Sequence, residues 1–433
     1  MQTSFAHLAD VHLGNQQYGL STRFDDFGRA WLDAIDRIVA CRVAFVIIAG
    51  DLFEKRTVEP LALLQAIEGL RRLQAAGIPA VAVEGNHDRA LYGDMLSWMG
   101  YLATEGYLVL LDPCPRDREG GIHYRRYDRE RTSGSYLDLS GVRIIGQPYL
   151  GAMAPRVLEG MAEHLRLEGQ GDAEYVIYAC HAGLEGILPH YPGCFREEEL
   201  NPIRPHVDYL ALGHVHKQFE RDGWVFNPGS LETCRSNEAG YPRGFYLVHV
   251  DTGCPEKHRA ELLPCWRRPF ACISFAMDEI TSPGELAKRL PVSLQSELLG
   301  WDDPPVIELR LTGMLRYDPA QLDPDAIKAL IRELCDPVHI EIKNSTRLPH
   351  EEVDPDGSLS RDELEQRVFR ELFARDGRYE PQADAWARLA SDIKQIAQDD
   401  FDPKALISIL ACRADELGAL PPTAMEARED AHP

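Results

Sequence analysis

Residues 45–53 read Phe-Val-Ile-Ile-Ala-Gly-Asp-Leu-Phe. Five apolar residues in a row, with no polar alternation, describe a strand buried on both faces, and Asp51 falls just beyond its carboxyl end. Upstream, Ser4–Ala9 reads as a second such strand and Arg23–Cys41 as an amphipathic helix; downstream, Pro60–Ala75 carries Leu and Ile at helical spacing and Ala80–Val83 is again a short apolar run. Buried strands alternating with helices predict a parallel core sheet in an α/β layer fold. From about residue 105 the segments shorten and acquire turn residues: Tyr136–Leu139, Val142–Ile145, Tyr175–Ala179, Tyr209–Leu212, Trp224–Phe226 and Phe245–Val250. They predict a second, partly antiparallel sheet packed on the first. The expected fold class is an α/β two-sheet sandwich flanked by helices.

Pro264 and Pro269 mark a change of unit. Residues 270–345 read strand, helix, strand, helix, strand, and are expected to form a small α+β capping domain. A polar, proline-bearing stretch follows. Ser360 and Glu363 then have the spacing of a capping box, with Leu359 and Leu364 placed for a hydrophobic staple. Behind them lie two apolar stripes, Leu364, Val368, Leu372 and Phe373, then Trp386, Leu389, Ile393 and Ile396. The expected organisation is 1–263 catalytic domain, 264–345 capping domain, 346–359 linker and 360–420 helical partner-binding region, with the last dozen residues frayed.

The chain has 433 residues, 44 % of them hydrophobic and 27 % charged, which describes an ordinary globular protein and excludes wholesale disorder. No apolar run is long enough to span a bilayer and no basic flank precedes an apolar stretch at the start, so a cytosolic protein with no membrane contact is expected. The ten cysteines include no CxxC pair, and reduced, mostly buried thiols are expected. A formal charge of −23 repels polyanions, so a nucleic-acid binder of this composition needs a local basic patch or bound cations.

The chemistry sits at strand ends. Asp10 and His12 follow the first strand, Asp51 the second, and Asn86, His87 and Asp88 the third; His181 ends a later strand, and His214 and His216 follow another. Ligands of α/β sheets bind beyond the carboxyl ends of strands, where all these groups fall. Each fragment alone suits a cap, a turn or a core histidine. Their conjunction suits two divalent ions sharing a carboxylate: Asp51 bridging, since a carboxylate offers two oxygens, Asp10, His12 and His216 on one ion, and Asn86, His181 and His214 on the other. Oxygen and imidazole donors without thiolate favour Mn²⁺ or Fe²⁺, with Zn²⁺ as an alternative and Mg²⁺ less suited to so many nitrogens. Cys180 points to the opposite strand face and is excluded. Two such ions clamp a phosphate and activate a water for in-line attack. His87 is the candidate proton donor or phosphate stabiliser opposite, and Asp88 the candidate that orients a histidine. The turn Asn227-Pro-Gly-Ser230 is a candidate to approach the site.

These motifs, Asp-Val-His at 10–12, Gly-Asp-Leu-Phe at 50–53, Gly-Asn-His-Asp at 85–88, His-Ala-Gly at 181–183 and Gly-His-Val-His at 213–216, resemble the calcineurin-like metallophosphoesterases, and within them the SbcD-type DNA repair nucleases. The resemblance covers residues 1–250 and extends to the rest by order of domains. It implies a homodimeric, Mn²⁺-dependent double-strand exonuclease and single-strand endonuclease, acting in break repair or hairpin processing with an ABC-type coiled-coil ATPase of SbcC type docked on the C-terminal helices. Where some members carry a histidine directly after Gly-Asp-x-Phe, this chain has Glu54. DNA itself requires cations: Arg116, Arg118, Arg125, Arg126, Arg129 and Arg131 crowd one segment with Tyr124 and Tyr127 interleaved, and a solvated hairpin is the competing reading because four acids intervene. Trp266-Arg267-Arg268 is a second candidate. The alternative function is a phosphodiesterase or phosphatase for a small nucleotide or phosphate ester, and a non-catalytic scaffold is the reading from another class.

Overall fold

The structure is a computed structural model and describes residues 1–92, 94–112, 124–189, 191–298, 300–348, 360–374 and 379–399. The chain divides into two compact units, one of residues 1–313 and 317–346, the other of residues 314–316 and 347–433.

The first unit contains the expected sandwich. One six-stranded sheet has the order His258–Pro264, Gly244–Asp251, Gln2–Leu8, Phe45–Ala49, Ala80–Val83, Val109–Leu110; the first two strands are antiparallel additions to a parallel set of four. The other has the order Phe219–Arg221, Val225–Asn227, Tyr209–Leu212, Tyr175–Cys180, Val142–Gln147, Tyr136–Leu139, again four parallel strands, here with one antiparallel strand at each edge. Period-two alternation assigns the faces. Phe5, Phe45, Ile47 and Val81 meet Ile177, Tyr209, Ala211 and Phe226 between the sheets. Ala6, Val46 and Ile48 point the other way, onto the helices Ser21–Cys41 and Pro60–Ala75. On the outer face of the second sheet, Val176, Tyr178 and Leu210 pack under a helix, Ala154–Glu168, that the sequence reading leaves unassigned.

Residues 270–344 supply a third sheet, Phe270–Ala276, Val306–Thr312 and His339–Asn344, with helices Pro283–Leu298 and Pro324–Leu334 between its strands. All its strands run parallel, so this is a β-α-β-α-β unit. A buried ion network ties its start to the rest of the compact unit: Arg268 donates to Asp26 Oδ2 at 3.0 Å, Arg23 to Asp26 at 2.7 Å, and Arg23 Nη2 lies 3.2 Å from Glu232 Oε1. Arg267 donates to the Ala239 and Tyr241 carbonyls at 3.1 Å. Trp266-Arg267-Arg268, a sequence candidate for DNA contact, is therefore occupied in holding the fold, because buried guanidinium groups need partners.

In the second unit, helices Arg361–Ala374 and Ala383–Asp399 pack on one another, with Phe373, Tyr379 and Trp386 in mutual ring contact and Lys394 paired to Glu365. The capping box forms: Ser360 N–H donates to Glu363 Oε2 at 2.8 Å and Glu363 N–H to Ser360 Oγ at 3.4 Å. Leu359 of the staple, most of the linker and residues 400–433 lie outside the described residues, as do Arg116 and Arg118. No helix among the described residues is long and apolar enough to cross a membrane. The described cysteines are all unpaired, but only Cys180 and Cys265 are fully buried, so the expectation of mostly buried thiols fails.

Candidate metal centre

The loops that leave the first two strands are stitched together by backbone hydrogen bonds. Asp10 N–H donates to Gly50 O (3.1 Å), Val11 and His12 N–H both to Asp51 O (2.9 and 3.0 Å), and Leu13 N–H to Leu52 O (2.9 Å). Asp10, His12, Asp51 and His214 adopt left-handed backbone, with φ of 52°, 54°, 52° and 83°. Such conformations cost about 1–3 kcal/mol each in non-glycine residues and persist where the surroundings over-determine them. Close approach also requires glycine: a Cβ on Gly85 would lie 2.0 Å from Asp51 Oδ1, and one on Gly213 would lie 2.1 Å from the Ala49 carbonyl.

All seven candidate ligands come together around Asp51. On one side, His12 Nε2 and His216 Nε2 lie 3.0 Å apart, with Asp10 Oδ1 4.0 Å from His216 Nε2 and Asp51 Oδ2 3.9 Å from His12 Nε2. On the other, His181 Nε2 lies 3.2 Å from Asp51 Oδ2, and His214 Nδ1 is 3.1 Å from Asn86 Oδ1. Asp10 accepts the His214 N–H on both carboxylate oxygens, at 3.1 and 3.0 Å.

Each imidazole is aimed by a group on its other nitrogen. His12 Nδ1 lies 2.9 Å from Glu54 Oε2, and His216 Nδ1 2.9 Å from Glu238 Oε1, which in turn takes Arg243 Nη2 at 3.1 Å on its other oxygen. His181 Nδ1 donates to the Ala49 carbonyl (2.7 Å) and His214 Nε2 to the Pro192 carbonyl (2.8 Å). With Nδ1 facing a carboxylate in both rings, His12 and His216 turn Nε2 lone pairs toward one point unless one ring is charged; a cation there satisfies both. The buried His12 Nδ1 and His181 Nε2 have no well-formed hydrogen bond. These converging nitrogens, with two carboxylates and an amide oxygen, fit divalent metal ions bound by mixed oxygen and imidazole donors.

Electrostatics agrees with a cation-shaped deficit. Burial pulls His12 and His181 down, yet Glu54 and Asp51 around His12, and Asp51 beside His181, hold both pKa values at about 9. Burial would raise Asp51, but the charges of His181 and His12 hold its carboxyl far below the usual range. Burial and the neighbouring His181 push His214 down to about 4, leaving a neutral ring. Burial opposes ionisation of Glu238, but His216 and Arg243 hold it near 2. A histidine whose folded pKa lies above its unfolded 6.5 contributes stability in full below that pH and loses it as pH rises through about 9. Thermal melts in excess chelator should therefore fall between pH 6.5 and 9, and saturating Mn²⁺ should flatten the decline, because metal ligation needs the neutral ring. A chelated protein equally stable at both ends of that window contradicts this charge state.

Two expectations change. Asp88, predicted to orient a histidine, instead accepts from three backbone amides, Gly85 (3.0 Å), Phe53 (3.0 Å) and Leu52 (3.3 Å), and so clamps the loops after the second and third strands. Burial and the Asp51 charge raise it to about 6. The Asn227–Ser230 turn braces the segment of the candidate ligand His216: Asn227 Nδ2 donates to Val215 and Lys217 carbonyls at 2.7 and 2.9 Å, on either side of it. His87 donates its backbone N–H to Asp51 Oδ1 (2.9 Å), and its Nδ1 lies 2.6 Å from the Glu54 carbonyl. The sequence reading does not single out Glu238 or Arg243, and treats Glu54 only as a departure. A glutamate 22 residues beyond its histidine gives no local signal.

Arg125, Arg126, Arg129 and Arg131 are exposed on the segment leading into the Tyr136–Leu139 edge strand. Arg126 lies 3.8 Å from Asp138 and Arg131 3.5 Å from Asp128. Arg131 also lines a cavity of about 400 Å³ shared with Glu84, Ala90 and Pro148, beside the loop that carries Asn86 and His87.

Residues 3–218 match the family model of the calcineurin-like phosphoesterases. The chain is similar to two archaeal proteins named DNA double-strand break repair protein Mre11: that of Archaeoglobus fulgidus (30 % identical over 265 residues, 56 % of each chain) and that of Saccharolobus solfataricus (28 % over 257 residues, 58 % of this chain and 61 % of the relative). It is also similar to the uncharacterized metallophosphoesterase YhaO of Bacillus subtilis, at 29 % identity over 262 residues and 58 % of each chain. The chain spans about six-tenths of the length of these curated relatives.

Proposed function

Given that this chain belongs, through residues 3–218, to the calcineurin-like phosphoesterase family, we propose that it is a cytosolic Mn²⁺-dependent DNA nuclease of SbcD type, hydrolysing phosphodiester bonds with two metal ions in break repair or hairpin processing. The observation that carries this reading is the convergence of seven metal-ligand groups on Asp51, in a chain whose relatives include double-strand break repair proteins. Asp10, His12, Asp51 and His216 would hold one ion, and Asp51, Asn86, His181 and His214 the other. When bound, such ions supply Lewis acidity toward a phosphoryl oxygen and make water a competent nucleophile at neutral pH. The remaining work falls to the chain. Glu238 and the Ala49 and Pro192 carbonyls fix the tautomers and directions of three imidazoles, and the Glu54 carboxylate lies 2.9 Å from His12 Nδ1. Asp88 locks the loop bearing Asn86 and His87, and His87 Nε2 delivers a proton or a hydrogen bond to the leaving oxygen.

The direct test is Mn²⁺-dependent degradation of end-labelled linear duplex, with a cyclic nucleotide in parallel. Duplex cleavage is expected; hydrolysis of the small ester alone would reassign the same centre to a phosphodiesterase of small molecules.

For DNA contact, Arg131 lines a cavity that borders the His87 loop, and Arg125, Arg126 and Arg129 are exposed on the same segment. Replacing all four by Gln should flatten the slope of log affinity against log salt by about 0.9 for each phosphate that is no longer neutralised. An unchanged slope removes this segment from the DNA interface.

A second copy and an ATPase complete the reading. Large apolar side chains are exposed at Leu61 and Leu64 and again at Tyr92, Met95 and Leu96, and a homodimer would cover them. Leu364, Val368 and Leu372, spaced four residues apart, form an exposed apolar stripe on the Arg361–Ala374 helix, suited to the coiled coil of an ABC-type ATPase of SbcC type. Deleting residues 351–433 should abolish co-purification with such an ATPase and spare cleavage of short duplexes; retained co-purification contradicts the assignment.

A further inference from the structure

One donor beside the centre is absent from the oxygen-and-imidazole set. Cys234 Sγ lies within 4.8 Å of a ring nitrogen of His12 and of a ring nitrogen of His216, and those two nitrogens lie within the same distance of one another. Its backbone is held on two sides. The Cys234 N–H donates to Glu238 Oε2 at 3.2 Å, on the carboxylate that aims His216, and its carbonyl accepts Gln17 Nε2 at 3.0 Å. The thiol itself makes a long, weak contact of 3.7 Å to the Glu232 carbonyl, which a metal–sulfur bond readily replaces. The pointers to a cation at this spot do not depend on sulfur: the two Nε2 atoms face one another at 3.0 Å, and Asp10 and Asp51 carboxylates group with His12.

We propose that Cys234 is a soft ligand on the His12–His216 side of the centre, so that Zn²⁺, Cd²⁺ or Co²⁺ bound there takes a thiolate that Mn²⁺ leaves unused. The proposal rests on the metal-centre reading above and adds to it a second donor set. Hard oxygen donors, Asp10 and Asp51, suit Mn²⁺, whereas two imidazoles and a thiolate suit Zn²⁺ and its softer analogues. On binding, the Cys234 S–H bond breaks, a metal–sulfur bond forms and the proton leaves to solvent; no electron is transferred. The consequence is a metal selector: one pocket holds zinc and manganese in different coordination, and zinc displaces the activating ion.

The test is spectroscopic and uses the full chain, stripped of metal and titrated with Co²⁺. The intact protein should show a near-ultraviolet thiolate-to-cobalt charge-transfer band, which Cys234→Ser loses while keeping the visible cobalt bands that report a folded site. Cys254→Ser, at an exposed thiol, should keep both. In equilibrium dialysis against Zn²⁺ and Mn²⁺ together, the zinc-over-manganese preference should fall at least about tenfold in Cys234→Ser. Cobalt bands with no charge-transfer component in the intact protein, or an unchanged preference in the variant, overturn the role of Cys234 and leave the metal centre standing. No cobalt uptake by the intact protein overturns the metal-centre reading and this proposal together.

Discussion

Replacing Asp51 by Asn is expected to cut divalent-metal content from two ions per chain to one or none and to lower phosphodiester hydrolysis by about 10³-fold or more. Asp51 is the group common to both halves of the site: its Oδ2 faces His12 on one side and His181 on the other, and its Oδ1 accepts the His87 N–H. Asparagine has the same shape and keeps one acceptor for that N–H, so the loop retains its conformation while the bridging charge is lost. Two-ion catalysis draws several kcal/mol of transition-state stabilisation from its metals, and each 1.36 kcal/mol is about a factor of ten in rate. In the metal-free protein the same substitution removes the charge that holds His181 and helps hold His12 near pKa 9, so both should titrate lower by NMR, His181 the more because Glu54 still supports His12. An Asp51→Asn protein with two ions and activity within tenfold of the parent would show that Asp51 is not the bridge.

His87→Ala should have the opposite signature. Metal content is expected to stay at two ions per chain, because His87 Nδ1 is engaged by the Glu54 carbonyl and its backbone N–H to Asp51 survives the substitution. A group that protonates a leaving oxygen or stabilises developing charge typically contributes 10² to 10⁴, so kcat should drop by about that factor with KM nearly constant. The two variants separate metal assembly from proton delivery. Loss of metal in His87→Ala, or full kcat, contradicts the assigned role.

How much of this is legible in the sequence depends on whether a feature is local. Phe45–Ala49 and Ala80–Val83 are uninterrupted apolar runs, and both form buried parallel strands with a polar loop at their carboxyl ends. The ligand motifs are visible for the same reason: each lies within a few residues of the strand that presents it. Elements lacking an apolar period give no such signal, including the three-residue edge strand Phe219–Arg221 and the outer strand His258–Pro264, whose side chains are only half covered. The Ala154–Glu168 helix escapes the sequence reading although its Leu158, Met161 and Leu165 keep helical spacing. The groups that aim the imidazoles are illegible because they reach the site through tertiary contact. Two are backbone carbonyls, of Ala49 and Pro192, which no residue type signals, and Glu238 arrives with Arg243 from a turn far along the chain. Asp88 misleads for a related cause: its neighbours in sequence suggest an imidazole partner, whereas the loops crowd three amide N–H groups onto it. Trp266-Arg267-Arg268 has the composition of a basic patch, but the buried Asp26 and Glu232 face it in the fold.

The sharing of one carboxylate by two metal ions is tested most directly by metal stoichiometry. The full chain, stripped with chelator and titrated with Mn²⁺ by calorimetry, with bound metal counted by elemental analysis, should take up two ions per chain and release protons as the His12 and His181 rings give way to metal. Uptake of a single ion, or of two ions that Asp51→Asn leaves in place, would contradict it.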